Sequence, residues 1–309
     1  MMHTAEKELE RILQGILDEL LKEGSSFSAK NLPGEKETLI SKGLKDTPAH
    51  ELGQEDMVTL MSADEVLVSK PANLEAIKAM KATTPARIGI GRAGARMKTA
   101  SLLKFLADHA VAQDAVFADV SPEFLSRMNL FAVQSSARNK EEFLTHPELG
   151  RRLSEESLQI ITQKCEKNIQ VQIIVVDGLS SSAIEANIPD LLPALTQGLA
   201  VSGIKTGDPF FVRYGRVWVE DQVASLVNAD VVVSLIGERP GLGTAESLSA
   251  YMIYRPDETT VEADRTVISN IHKGGIPPAE AGAHLADVIK QILKARASGV
   301  RLNRQIVVS

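Results

Sequence analysis

VQIIVVDG, residues 171–178, is a short, almost continuous apolar run that closes on Asp177 and Gly178. Its length and its β-branched content are those of a strand buried on both faces. DVVVSLIGE, residues 230–238, repeats the pattern and ends at Ile236, Gly237 and Glu238. FFVR, residues 210–213, supplies a third strand candidate. Helical segments are predicted between and after these runs, over residues 182–201, 220–228 and 279–298. Buried runs that alternate with helices indicate an α/β fold with a parallel sheet covered on both faces. In such sheets ligands collect at the carboxyl ends of the strands. Here those ends carry Asp177-Gly178-Leu179-Ser180 and Gly237-Glu238-Arg239-Pro240-Gly241.

Upstream the character is different. Residues 57–82 and 99–120 have helical patterning, with Ser62 or Asn73 as a cap for the first and Pro85 as the break between them. In the second, Leu102, Leu103, Phe105, Leu106 and Ala110 share one side. Shorter helical stretches follow around residues 123–126 and 149–167. The reading is a mainly helical domain over residues 57–165 and an α/β domain over 166–309. Ahead of both, Leu9, Ile12, Leu13, Ile16, Leu17, Leu20 and Leu21 recur at steps of three and four, and Gly24 supplies a stop. Residues 1–24 thus read as an amphipathic helix, and the polar stretch 25–56, with Pro33, Gly34, Gly43, Pro48 and Gly53, as a linker. Such a helix docks either on its own core or on a partner surface, such as a shell or another subunit. Its polar face is more acidic than basic, which argues against a membrane surface.

Composition narrows the function classes. The 309 residues carry 34 Lys and Arg against 40 Asp and Glu, a formal charge of −6. That balance disfavours nucleic acid as the main partner, because phosphate binding wants a basic face. Cys165 is the one cysteine, so neither an intrachain disulfide nor a cysteine-rich metal site is available, and a reducing cytoplasm is expected. No apolar run reaches the ~18 residues of a transmembrane helix, and the N-terminus lacks a signal-peptide pattern.

Gly89, Gly91 and Gly94 spell G-x-G-x-x-G, but a dinucleotide site needs a strand directly before it and an acidic strand end about 20 residues later. Residues 83–87 supply no strand, and Asp108 and Asp114 fall in helical patterning. Arg87, Arg92, Arg96 and Lys98 make the loop basic, as an acidic partner surface or a phosphate would require. Gly237, Pro240, Gly241 and Gly243 form a loop after a strand, which is either a ligand loop or a tight turn. None of the six histidines completes D-x-H-x-x-G or H-x-x-x-H, and the serines at 180–182 lack a G-x-S-x-G elbow.

Five long blocks carry a resemblance: residues 84–120, 172–199, 209–223, 237–256 and 262–289, among them GRVWVED, IGERPGLGTAE and DRTVISN. Together they resemble the ethanolamine ammonia-lyase small-subunit family. The resemblance implies a Rossmann-like domain behind a helical part. It also implies a heteromeric lyase that converts ethanolamine to acetaldehyde and ammonia by adenosylcobalamin radical chemistry. In that family a TIM-barrel large subunit holds the substrate, and the small subunit covers the other side of a base-on cobalamin shared between the chains. The missing D-x-H-x-x-G agrees with the base-on mode. The cofactor contacts it implies fall on Val217, Glu238 and Val267, the last often cysteine in the family; no catalytic residue and no metal ligand is implied for this chain. The resemblance further implies a place inside a bacterial microcompartment, with residues 1–24 docking on a shell or another cargo chain.

Overall fold

The computed structural model describes residues 66–84 and 86–308. The expected helix over residues 1–24 and the linker over 25–56 lie outside the described residues. In chain order the elements are α1 (Leu74–Ala82), β1 (Arg92–Ala93), β2 (Arg96–Met97), α2 (Thr99–Phe117), α3 (Pro122–Arg127), β3 (Ala132–Gln134), α4 (Lys140–Thr145), α5 (Glu155–Lys164), β4 (Val171–Val176), α6 (Ser181–Val201), β5 (Phe210–Arg213), α7 (Val219–Val227), β6 (Val231–Gly237), β7 (Leu248–Tyr254), β8 (Thr266–Ile271), α8 (Pro278–Ala295) and α9 (Gly299–Val308). Asn73 is the cap of α1, its side chain accepting from the Ala76 amide at 3.0 Å.

Six strands form one sheet in the order β3-β5-β4-β6-β7-β8. The first four are parallel to one another, as the buried runs predict. The last two are antiparallel, so the sheet is mostly rather than wholly parallel. The reason lies in residues 238–247. A parallel crossover needs a dozen or more residues and usually a helix. This connection is shorter and is punctuated by Pro240, Gly241 and Gly243, so the chain turns back and β7 pairs with β6 from Gly237↔Leu248 to Val231↔Tyr254. The edge strand β3 lies in the stretch read as mainly helical. Three residues are too few to show a period.

Alternation along the strands separates two cores. Ile173, Val175, Val233, Leu235, Ala250 and Met252 face α6 and α8, where Ile188, Leu191, Leu195, Leu285, Ile289 and Ile292 meet them. Ile174, Val176, Phe210, Val212, Val232 and Ile236 face the other way, against Ile161 of α5 and Val219, Val223 and Val227 of α7. Each fully buried aliphatic side chain contributes about 1.5–3 kcal/mol. Helices α6 and α8 approach so closely that a Cβ on Gly282 would stand 2.5 Å from the Leu191 carbonyl oxygen. None of the described helices is long and apolar enough to cross a membrane.

Candidate functional site

The carboxyl ends of β4, β5 and β6 converge on a recess of about 120 Å³. Its walls are Gly178 and Leu179 after β4, Gly215, Arg216 and Val217 after β5, and Ile236, Gly237 and Glu238 at β6, closed by Phe143 and Tyr251. The loops after β4 and β6 lock together. The Leu179 amide donates to the Gly237 carbonyl at 3.0 Å. A Cβ on Gly237 would lie 2.1 Å from the Ser180 carbonyl oxygen, so only glycine lets the two backbones come this close.

Two of the three expected contact residues meet here. Val217 is half-buried among the apolar side chains under α7. Glu238 turns a carboxylate into the recess and accepts a hydrogen bond from the Tyr251 hydroxyl, at 3.1 Å on Oε1. Burial, and then the Glu238 charge, pushes the Tyr251 phenol up to about 12, so it remains a donor. Val267 does not line the recess. It stands exposed on β8, directly opposite Tyr251 in the ladder, and so presents its side chain on the same face of the sheet.

Several further candidates are not singled out as contacts by the sequence. Arg216 leans over the Phe143 ring, 4.5 Å from its centroid, and donates to the Phe143 carbonyl oxygen at 3.1 Å. Tyr251 falls in a strand that pairing with β6 and β8 defines. Asp177, a legible strand end, proves to be fully buried, and among the described residues neither carboxyl oxygen has a partner of hydrogen-bonding geometry. Burial pushes it up to about 7, against the nearby charge of Lys140, the backbone of Tyr214 and Gly215, and Arg213. The Lys140 ammonium itself is held 3.7 Å from Asp119 and 5.2 Å from the Tyr214 ring centroid. Three and four residues after Val217, Glu220 and Asp221 both meet Arg265, each at 2.6 Å. Burial raises both carboxyls above their ordinary range, and the one cation they share opposes it.

The arrangement offers polar and apolar groups side by side. A carboxylate, a phenol and a guanidinium sit among Phe143, Leu179, Val217 and Ile236, and no nucleophile–base pair stands in the recess. A larger hollow of about 570 Å³, between residues 125–131 and 208–209, opens at the amino ends of β3 and β5, away from the strand ends that favour ligands. The glycines at 89, 91 and 94 do not form a strand-to-helix phosphate turn. Gly94 sits between β1 and β2 with φ +62°, in a small antiparallel ribbon of its own. Arg87 nonetheless reaches from this segment to the loop after β6, donating to Asp108 at 2.8 Å and to the Leu242 carbonyl oxygen at 3.1 Å.

Comparison with known proteins adds a family. The model of the ethanolamine ammonia-lyase light chain (EutC) matches residues 74–303. The chain is 53% identical over 247 residues to the ethanolamine ammonia-lyase small subunit of Clostridium perfringens, covering 80% of this chain and 84% of that one. It is 46% identical to the small subunit of Clostridium tetani, over 96% of this chain and 99% of that one. The Fusobacterium nucleatum small subunit is also 46% identical, over 96% and 98% of the respective chains.

Proposed function

Because the chain belongs to the ethanolamine ammonia-lyase light-chain family, we propose that it is the small subunit of that lyase and covers one side of an adenosylcobalamin shared with a large, TIM-barrel subunit. The observation that carries this reading is the meeting of Val217 and Glu238 in one recess at the strand ends. Two residues on successive strand-end segments, each matched to a cofactor contact through the resemblance, line the same hollow.

The residues present fit the group. The Glu238 carboxylate suits the side-chain amides of a corrin, which need acceptors. Val217, Leu179 and Ile236 offer apolar contact, and Val267 extends that surface along the sheet. Ordinary ligand pockets run to about 300–1,000 Å³. A recess of about 120 Å³ takes one edge of a large cofactor and leaves the remainder to a partner. When bound, adenosylcobalamin supplies the radical chemistry that turns ethanolamine into acetaldehyde and ammonia. The role of this chain is to bind and orient: Tyr251 steers the Glu238 carboxylate, and Phe143 and Leu179 exclude water beneath it. The reading includes a Rossmann-like character for the sheet, supported by the parallel strands β3–β6 with helices on both faces. It also assigns residues 1–24 to docking on a microcompartment shell or cargo chain, supported by their apolar spacing.

The test is to co-express this chain with the large subunit and measure acetaldehyde release from ethanolamine with and without adenosylcobalamin. Turnover is expected to need both chains and the cofactor. A chain that neither co-purifies nor contributes to turnover overturns the reading.

A further inference from the structure

Arg265 stands at the entry to β8 with 2% of its side chain exposed. All three of its nitrogens donate, to two adjacent carboxylates at the start of α7 and to one backbone carbonyl before β8. Nε donates to Glu220 Oε1 at 2.6 Å, Nη2 to Asp221 Oδ1 and Oδ2 at 2.7 and 2.6 Å, and Nη1 to the Val261 carbonyl oxygen at 3.2 Å. The guanidinium carbon lies 4.8 Å from the Trp218 ring centroid, and that of Arg151 lies 5.5 Å from the same ring. Trp218 directly follows Val217, and Arg265 precedes Val267 by one intervening residue, Thr266. The turn into α7 is closed by its own hydrogen bonds, Val219 amide to Arg216 carbonyl at 3.0 Å and Glu220 amide to Val217 carbonyl at 3.1 Å. Val217 therefore moves with the carboxylates that Arg265 grips.

Stability alone does not account for this cluster. Glu220 is fully buried, its Oε2 has no partner of full hydrogen-bonding geometry among the described residues, and one cation serves two carboxylates. Burial raises the Glu220 pKa, against Arg265 and the nearby Ser234 side chain. Apolar side chains of similar volume pack such a site at no electrostatic cost. What a planar fork adds is a single distance and orientation between the parts it joins.

We propose that Arg265 is a positioning residue that holds the Val217 turn and the Val267 strand at one fixed spacing, so that both flank the edge of the cofactor before it arrives. This inference rests on the cofactor-covering reading of the recess. Arg265 does not touch the cofactor; it acts through Glu220, Asp221 and Trp218.

The experiment uses the assembled enzyme of both subunits with adenosylcobalamin and ethanolamine. Arg265→Lys keeps the charge and loses the fork. Asp221→Asn is the milder variant, weakening one prong and sparing the Glu220 pair. The KM for adenosylcobalamin is expected to rise about tenfold in the first and about threefold in the second, while kcat at saturating cofactor stays within about twofold, the signature of lost preorganised binding. Glu238→Ala is measured beside them. A raised KM in Glu238→Ala with no change in either of the other variants overturns the positioning role and leaves the functional reading standing. An unchanged KM in Glu238→Ala overturns the functional reading itself. If Arg265→Lys does not assemble, Asp221→Asn decides: an unchanged cofactor KM in that variant overturns the inference.

Discussion

Tyr251 donates its phenolic hydrogen to Oε1 of Glu238 over 3.1 Å, across the loop that turns the sheet from parallel to antiparallel. The strand that breaks the parallel pattern thus orients the carboxylate at the end of the strand before it. Tyr251→Phe keeps the ring and removes the donor. The KM for adenosylcobalamin of the assembled enzyme is expected to rise about three- to tenfold, about 0.7–1.4 kcal/mol, the net worth of one ordinary intramolecular hydrogen bond. Cofactor titration of turnover checks it, and an unchanged KM shows that the Glu238 carboxylate needs no such guide.

Asp177 makes stability depend on pH. Its ordinary pKa is 3.8 and the folded protein raises it to about 7. The folded state therefore holds this proton more tightly than the unfolded chain. The contribution is fully present below about pH 4 and is lost as pH climbs to about 7, where the buried carboxyl ionises. Asp177→Asn cannot ionise. The difference in melting temperature between the variant and the parent enzyme is expected to shift in favour of the variant from pH 5 to pH 8. A difference that stays constant across that range rules the effect out.

Gly237 is fixed by contact on both sides. A methyl group there meets the Ser180 and Asp177 carbonyl oxygens at 2.1 and 2.5 Å, and both are backbone. Gly237→Ala is expected to cost about 1–3 kcal/mol of stability and to displace Glu238, weakening cofactor binding. Denaturant melts with cofactor titration detect both effects. Wild-type values in both would mean that the loops separate freely.

Residues 1–25 are expected to serve location rather than turnover. Their deletion should leave acetaldehyde release by the complex unchanged and abolish co-fractionation with microcompartment shells. Shell fractions that retain the shortened chain would remove the docking role.

The three central strands were legible because burial on both faces leaves an unbroken apolar run, which VQIIVV and DVVVSL both show. Strand β8 lacked that signature. It forms an edge, with Val267, Ser269 and Asn270 exposed, and pairing with β7 defines it. Glu238 was legible through its place at a strand end, since that rule depends only on topology. Its partner Tyr251 was not, because the contact depends on how β6 and β7 register. The Arg265 network lay further out of reach. Its carboxylate partners are 44 and 45 residues away, and nothing local marks a charged residue as buried.

The small volume of the recess has a consequence for assembly. On the proposed reading, a recess of about 120 Å³ encloses only an edge of a molecule as large as a cobalamin, so this chain alone offers an incomplete seat. A ligand that binds the pair better than either chain must, by thermodynamic reciprocity, tighten the pair in equal measure. On the proposed reading, loading and assembly are then one coupled equilibrium. Depleting the cofactor would loosen the subunits, and diluting the subunits would release the cofactor.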